Sequence, residues 1–576
     1  MAVSTWERTE IEQQLAIING NKAPDLLIIN ATYLHSIYKK WMTGNIWILG
    51  DRIVYVGKEM PAITEGTEIM DAAGKKIVPG YIESHVHPFQ LYNPWTFADY
   101  ASRLGTTTFL SDNLALFMAL DNETSFSILD ELNELPFTFY WWVRFDSQTV
   151  LKNEAEIFTE ASISEWLDRP EVLLGGELTS WPRLMGGDPK LFATVSAARR
   201  AGMKIEGHYP GASERTLARM KLLGTDGDHE AMTVEEVETR LLHGYAVTLR
   251  HSSIRPDLPH LLKSLVDQEV DVFDHLMMTT DGSTPSFYED GVMDKCIRVA
   301  LEAGVAPTAA YLMASYNVAR YYDMTDLHGL IATGRYATLN FLEDKKNPAP
   351  IDVLSKGVWL KRNGKSTAPF MPVDYSKITP FAPVFDLTES DLLFNDPLGI
   401  EMVNDVITKP YEVTIDTSSN TLSNEHDESF LMLVDRNGKW RVNTLIKGFA
   451  TSVQGFASSF SNTGDIILIG KNKTEMLNAF NEIKKMGGGM VLTENGGIVA
   501  SLLLPLGGGL STEPMETLIP QELQLKEALK SRGYKHGDAV YTFLFLQSTH
   551  LPYVRITQVG LYDVMKKKVL IPATER

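Results

Sequence analysis

The chain has 576 residues, of which 44% are hydrophobic and 22% charged, so it can hold two or three folded domains and shows no bias toward disorder. A formal net charge of -20 opposes a phosphate backbone and excludes nucleic acid as a bulk partner, although a free base remains open. Cys296 is the only cysteine, which excludes an intramolecular disulfide, a multi-thiolate metal site and the cysteine-ligated zinc site of cytidine deaminases.

The opening MAVSTWERTEIEQQ has no basic stretch leading into an apolar run, and no segment reaches the about 18 apolar residues of a membrane span. A cytoplasmic protein without a membrane partner is expected. Residues 25–80 then read as short strands and turns, DLLIINATYL, GNIWILGDRIVYVG and EIMDAAGKKIVPG, and a matching fragment, APIDVLSKGVWLKRNGK, returns at 349–365. The expected division is 1–79 as the first part of a small β domain, 80–345 as an inserted barrel, 346–374 as the return segment, and 375–576 as a C-terminal α+β domain.

Within the insert, β-rich runs alternate with helical stretches: KKIVPGYIESHVH, GTTTFLSDN, PFTFYWWVRFD, PEVLLGGELTS, GMKIEGHYP, LLGTDGDHE, GYAVTLRHSS and VDVFDHLMMTTDG. Eight strands in this rhythm predict a (β/α)8 TIM-like barrel of the α/β class, with a weak sixth strand. No GxGxxG follows the first strand, which disfavours a doubly wound sheet. Cys296 lies in an amphipathic helical pattern, DKCIRVALEAG, and reads as a buried structural thiol. Beyond the Pro-rich TAPFMPVDYSKITPFAPVF a strand–helix–strand pattern sets in. There, Met486 followed by three glycines reads as a helix C-cap and turn rather than a phosphate loop.

His85 and His87 stand two apart at the end of the first strand, so both project on one face and can ligate one ion. Alone, such a pair fits surface or core histidines better. Glu177, His208, His229 and Asp281 end the fourth, fifth, sixth and eighth strands, the end where barrels build their sites. Individually, Asp281 could be a cap and Glu177 a paired buried carboxylate; together the six predict a metal site. His251 and His275 lie near strand ends and are candidates to support the ligands. Arg250 is either an ion-pair residue or a substrate anchor, while His243, His260, His328 and His550 read as solvated or structural.

This constellation, with the words PGYIESHVHP, GTTT, GHYPG, DHEAMTVEE and GGGMVL, resembles the adenine deaminases of the amidohydrolase superfamily. KGFATS, IILIG and LPLGGGLS extend the resemblance into the C-terminal region. It implies His85 and His87 as ligands after the first strand, Glu177 as a bridging carboxylate, His208 and His229 as ligands of a second position, and Asp281 as ligand and proton acceptor. Asp281, Glu177 and His229 are the catalytic candidates. The implied activity converts adenine and water to hypoxanthine and ammonia with one or two divalent ions, Mn, Fe or Zn, so the partner is a small molecule, a purine base or related heterocycle. Homo-oligomer formation stays open.

The sequence also departs from that pattern. Asp112 is followed by Asn113, Leu114 and Ala115 where the family shows Pro-His-Glu, and Asp281 by Gly282 where it shows a second Asp. Ser461–Gly464 stands in place of a His-Asp-Ser-His segment. Hydrolysis of another cyclic amide or nitrogenous small molecule is therefore the alternative, and a non-catalytic ligand-binding barrel a further one.

Overall fold

The structure, a computed structural model, describes residues 7–367 and 370–576. The first six residues of the N-terminal segment, and Ala368 and Pro369 of the Pro-rich stretch, lie outside the described residues.

Eight parallel strands form the central sheet: β1 (Tyr81–Val86), β2 (Thr106–Asp112), β3 (Thr138–Val143), β4 (Val172–Leu178), β5 (Lys204–Gly207), β6 (Gly227–Asp228), β7 (Ala246–Arg250) and β8 (Leu276–Thr279). They pair in sequence order, and the (β/α)8 expectation holds. Side chains hold the seam between β1 and β8: Ser84 Oγ donates to the Met278 carbonyl at 2.8 Å, and Thr279 Oγ to the His85 carbonyl. The sixth strand is only two residues long, in keeping with its weak pattern.

The barrel is filled rather than hollow. Ile82, Leu110, Tyr140, Trp142, Leu174 and Met277 pack inside it, in one apolar cluster with Val318, Tyr322 and Met324. On the outside, amphipathic helices bury their apolar faces; in Met293–Glu302 the buried face includes Met293, Cys296, Ile297 and Ala300. Burial pushes the Cys296 thiol well above its ordinary value, so it is an inert core group.

Both flanks of the barrel enter one sheet. Leu339–Leu342 pairs antiparallel with Lys76–Pro79, and the order continues through Asp352–Ser355 and Val358–Arg362 on one side and Leu26–His35 and Lys40–Leu49 on the other. The chain thus re-enters this sheet at Leu339. The C-terminal region carries a nine-stranded sheet against which the helix Lys473–Met486 packs. That helix ends at Gly487, whose φ of 79° and N–H bond to the Ile483 carbonyl make it the left-handed cap read from the three glycines.

Candidate metal centre

The C-terminal strand ends bring all six predicted residues together. His85 Nε2 and His87 Nε2 lie 3.3 and 3.4 Å from Asp281 Oδ1. Glu177 spans the centre: Oε2 is 3.6 Å from His87 Nε2, while Oε1 is 2.6 Å from His208 Nδ1 and 3.3 Å from His229 Nε2. Glu230 completes the far side, with Oε1 3.3 Å from His229 Nε2 and 3.4 Å from His208 Nδ1. Among the described residues, three triads have donor atoms within 4.8 Å of one another: His85, Glu177 and His229; His85, His87 and Asp281; His208, His229 and Glu230.

These donors fit a divalent ion. His85 Nε2, His208 Nδ1, His229 Nε2 and Asp281 Oδ1 are buried and make no hydrogen bond among the described residues. His208 Nδ1 approaches Glu177 Oε1 without hydrogen-bond geometry, as donor atoms do when they share a focus. Behind them, His87 Nδ1 contacts Asp112 Oδ2 at 2.7 Å and His229 Nδ1 contacts Glu206 Oε1 at 3.3 Å, which leaves each Nε2 directed inward.

Positive charge around the carboxylates comes from arginine. Arg144, fully buried one residue past β3, donates to both oxygens of Asp112 at 2.8 and 2.9 Å and to Glu177 Oε2 at 2.9 Å. Arg250 reaches Glu230 Oε1 at 2.7 Å and Asp281 Oδ2 at 2.6 Å, so it is the ion-pair residue of the two readings. Burial opposes charge on Asp281, yet Arg250 and His85 hold its carboxyl well below the usual range; Arg144 and His208 do the same for Glu177. Burial also opposes charge on His87, but Asp112 and Asp281 outweigh it and raise this imidazole to about 9. The carboxyls of Asp112, Glu177, Glu206, Glu230 and Asp281 outnumber the guanidiniums of Arg144, Arg250 and Arg255, and the raised imidazole of His87 carries part of the balancing charge that a bound cation would supply.

Two segments of the chain match known families: residues 77–360 the amidohydrolase family, and 405–568 the adenine deaminase C-terminal domain. A Bacillus cereus protein named "Putative adenine deaminase" is 50% identical over 98% of this chain and 97% of its own length. The chain belongs to the adenine deaminase family. Bacillus subtilis "Putative adenine deaminase YerA" is 49% identical over 99% of both chains, and the "Adenine deaminase" of Cenarchaeum symbiosum 29% identical over 97% of this chain and 94% of that one. Among solved structures, the β-aspartyl dipeptidase of Fervidobacterium islandicum AW-1 is similar at 17% identity and a TM-score of 0.45, covering 60% of this chain and 98% of that chain. Family membership makes the protein a hydrolase of C–N bonds and implies a divalent metal.

In this deaminase-family chain the C-terminal domain also reaches the centre. Tyr541 Oη donates to the Gly282 carbonyl at 2.6 Å, Thr284 Oγ donates to Asp538 at 2.6 Å, and Thr549 N donates to the Gln148 carbonyl at 3.1 Å. His550 stands edge-on to His208 with ring centroids 5.3 Å apart. The structural reading of His550 stands, but its local sequence gives no sign that the partner is His208, beside a distant barrel strand. The expectation that His275 supports the ligands is corrected. This residue sits in the turn Phe273–His275 before β8, at the opposite end of the strand from the ligands. His251 follows β7 but packs on Phe287, and His328 contacts Tyr140 inside the barrel. Arg144 and Glu230 are missed by the sequence reading, although both follow strands by the rule that finds the other six.

The departure at Gly282 has a steric cause. Its φ is +66°, and a Cβ there would lie 2.5 Å from His87 N and 2.6 Å from His87 Cβ. Gly282→Ala should displace His87 and lower the metal bound per chain, as measured by elemental analysis of the purified variant. Undiminished metal would show that this backbone can yield. The departure after Asp112 is similarly committed: Asn113 Oδ1 accepts from Arg144 N at 3.0 Å, and Leu114 N donates to Asp112 Oδ1 at 2.9 Å.

Proposed function

We propose that the protein hydrolyses adenine to hypoxanthine and ammonia, with His85, His87, Glu177, His208, His229 and Asp281 holding one or two divalent ions among Mn, Fe and Zn. The observation that carries this is Glu177, one carboxylate shared between the His87 side and the His208–His229 side of the centre. A divalent ion held there acidifies water and so supplies a nucleophile near neutral pH. The remaining work falls to the chain. Asp281, kept ionised by Arg250, accepts the proton lost by water as its oxygen bonds to C6 of the base. Asp281 passes that proton to the ring nitrogen beside C6, then moves the remaining hydroxyl proton of the C6–OH adduct to the amine; the C6–N bond breaks, the carbonyl of hypoxanthine forms and ammonia leaves. Glu177, anchored by Arg144, holds both halves of the ligand set at fixed spacing.

A cyclic amide is the second reading. It is favoured by the segment after β2, where Asn113 is committed to the Arg144 backbone and Leu114 and Ala115 offer no polar side chain. Assays of ammonia from adenine and ring opening of cyclic amides, run on the same metal-loaded protein, separate the two. Ammonia and hypoxanthine in equal amounts are expected; ring opening without ammonia from adenine overturns the adenine reading.

Chelation should abolish turnover and lower Tm, since a ligand at a hundred times its Kd stabilises the folded state by about 2.7 kcal/mol. Readdition of metal should restore both. Full activity after exhaustive chelation would remove the metal from the mechanism.

A further inference from the structure

We infer that His550, contributed by the C-terminal domain, is a substrate-positioning residue that presents a hydrogen-bonding edge to the nitrogen heterocycle bound at the centre. This rests on the reading of the barrel mouth as a hydrolytic site, and it adds a residue that neither the family resemblance nor the ligand set supplies.

The side chains of His85, His229, Glu177 and Asp281 are 7% exposed or less, whereas His87 and His208 keep 15% and 13%. A substrate must therefore approach from the side of His87 and His208. Gln148 and His550, both only partly buried, stand on that side: His550 edge-on to His208, and Gln148 beside Arg144 and Glu177.

His550 is held in place by backbone. Its Nδ1 lies 3.3 Å from the carbonyl of Gln148, a residue in the left-handed region at a φ of 61°, and Thr549 N donates to the same oxygen. A proton on Nδ1 satisfies this contact and leaves Nε2 as an acceptor. Purine-like rings carry N–H groups that such an acceptor can read. The loop after β3 and the segment from Asp538 to His550 are also tied together by Thr149 Oγ, which donates to the Gln547 carbonyl at 2.6 Å. The imidazole is thus fixed against the barrel before substrate arrives, which lowers the ordering cost of binding.

Two substitutions separate positioning from packing. His550→Phe keeps an aromatic ring against His208 but loses both polar edges; His550→Asn loses the ring but keeps a donor and an acceptor. Positioning predicts that Phe weakens binding about tenfold, and Asn by less than about threefold, on the scale of a neutral hydrogen bond. Binding of unsubstituted purine to metal-loaded protein by calorimetry and KM for adenine are the readouts, with metal content and Tm measured alongside. In both variants kcat should change less than KM. The reverse order, with Phe near wild type and Asn impaired, or a fall in activity that only tracks lost metal, overturns the inference. Should wild type act on another heterocycle and neither bind purine nor release ammonia from adenine, the adenine reading fails. The same comparison on that heterocycle then decides His550 separately.

Discussion

Asp281→Asn should retain most of its metal and lose turnover by about 10²–10⁴-fold, the usual range for removing a general acid–base group. The carboxylate has two separable duties. Oδ1 faces His85 and His87, a ligand-like position that an amide oxygen can also occupy, while Oδ2 is held by Arg250 at 2.6 Å. The amide keeps an oxygen for the centre but has no negative charge with which to take a proton from water. Elemental analysis and steady-state kinetics on the same preparation check this. Wild-type turnover in Asp281→Asn would reduce Asp281 to a structural residue and end the proton-transfer role assigned to it.

The second large effect is expected at Arg144. This guanidinium is fully buried and joins Asp112, which braces His87, to Glu177, which spans the two halves of the centre. Arg144→Ala leaves two buried carboxylates without their main counter-charge, and breaking a buried pair from one side costs about 3–5 kcal/mol. Denaturant unfolding should show that loss, together with lower metal content because the braces behind His87 and Glu177 are both released. Arg144→Lys should recover only part, since an ammonium cannot make the forked contact with Asp112. A variant as stable and as metal-rich as wild type would show that the metal alone neutralises these carboxylates.

The six candidate ligands are legible in the sequence because two simple rules apply to them. A strand's period of two sets His85 and His87 on one face, and a barrel gathers the C-terminal ends of its strands in one place. Arg144 obeys the second rule, yet its residue type does not advertise a place among metal ligands. Glu230 is hidden beside His229, since neighbouring residues on an extended strand point apart and only the irregular backbone after the two-residue β6 lets both face inward. His275 is misplaced because VDVFDHLMMTTDG reads as one strand, whereas its first half coils into a short turn. His550 lies beyond sequence reasoning altogether: its contact with His208 depends on how the C-terminal domain docks on the barrel, which no local periodicity encodes.

The central claim is that one metal centre, built on these strand ends, performs the C–N hydrolysis. Titrating metal-free protein with Mn(II) while recording ammonia release from adenine tests it most directly. Activity should rise in proportion to bound metal and stop at one or two ions per chain, and His208→Ala should lose both binding and turnover. Ammonia release that is independent of bound metal, or metal binding that saturates in wild type with no release of ammonia from adenine, would contradict it.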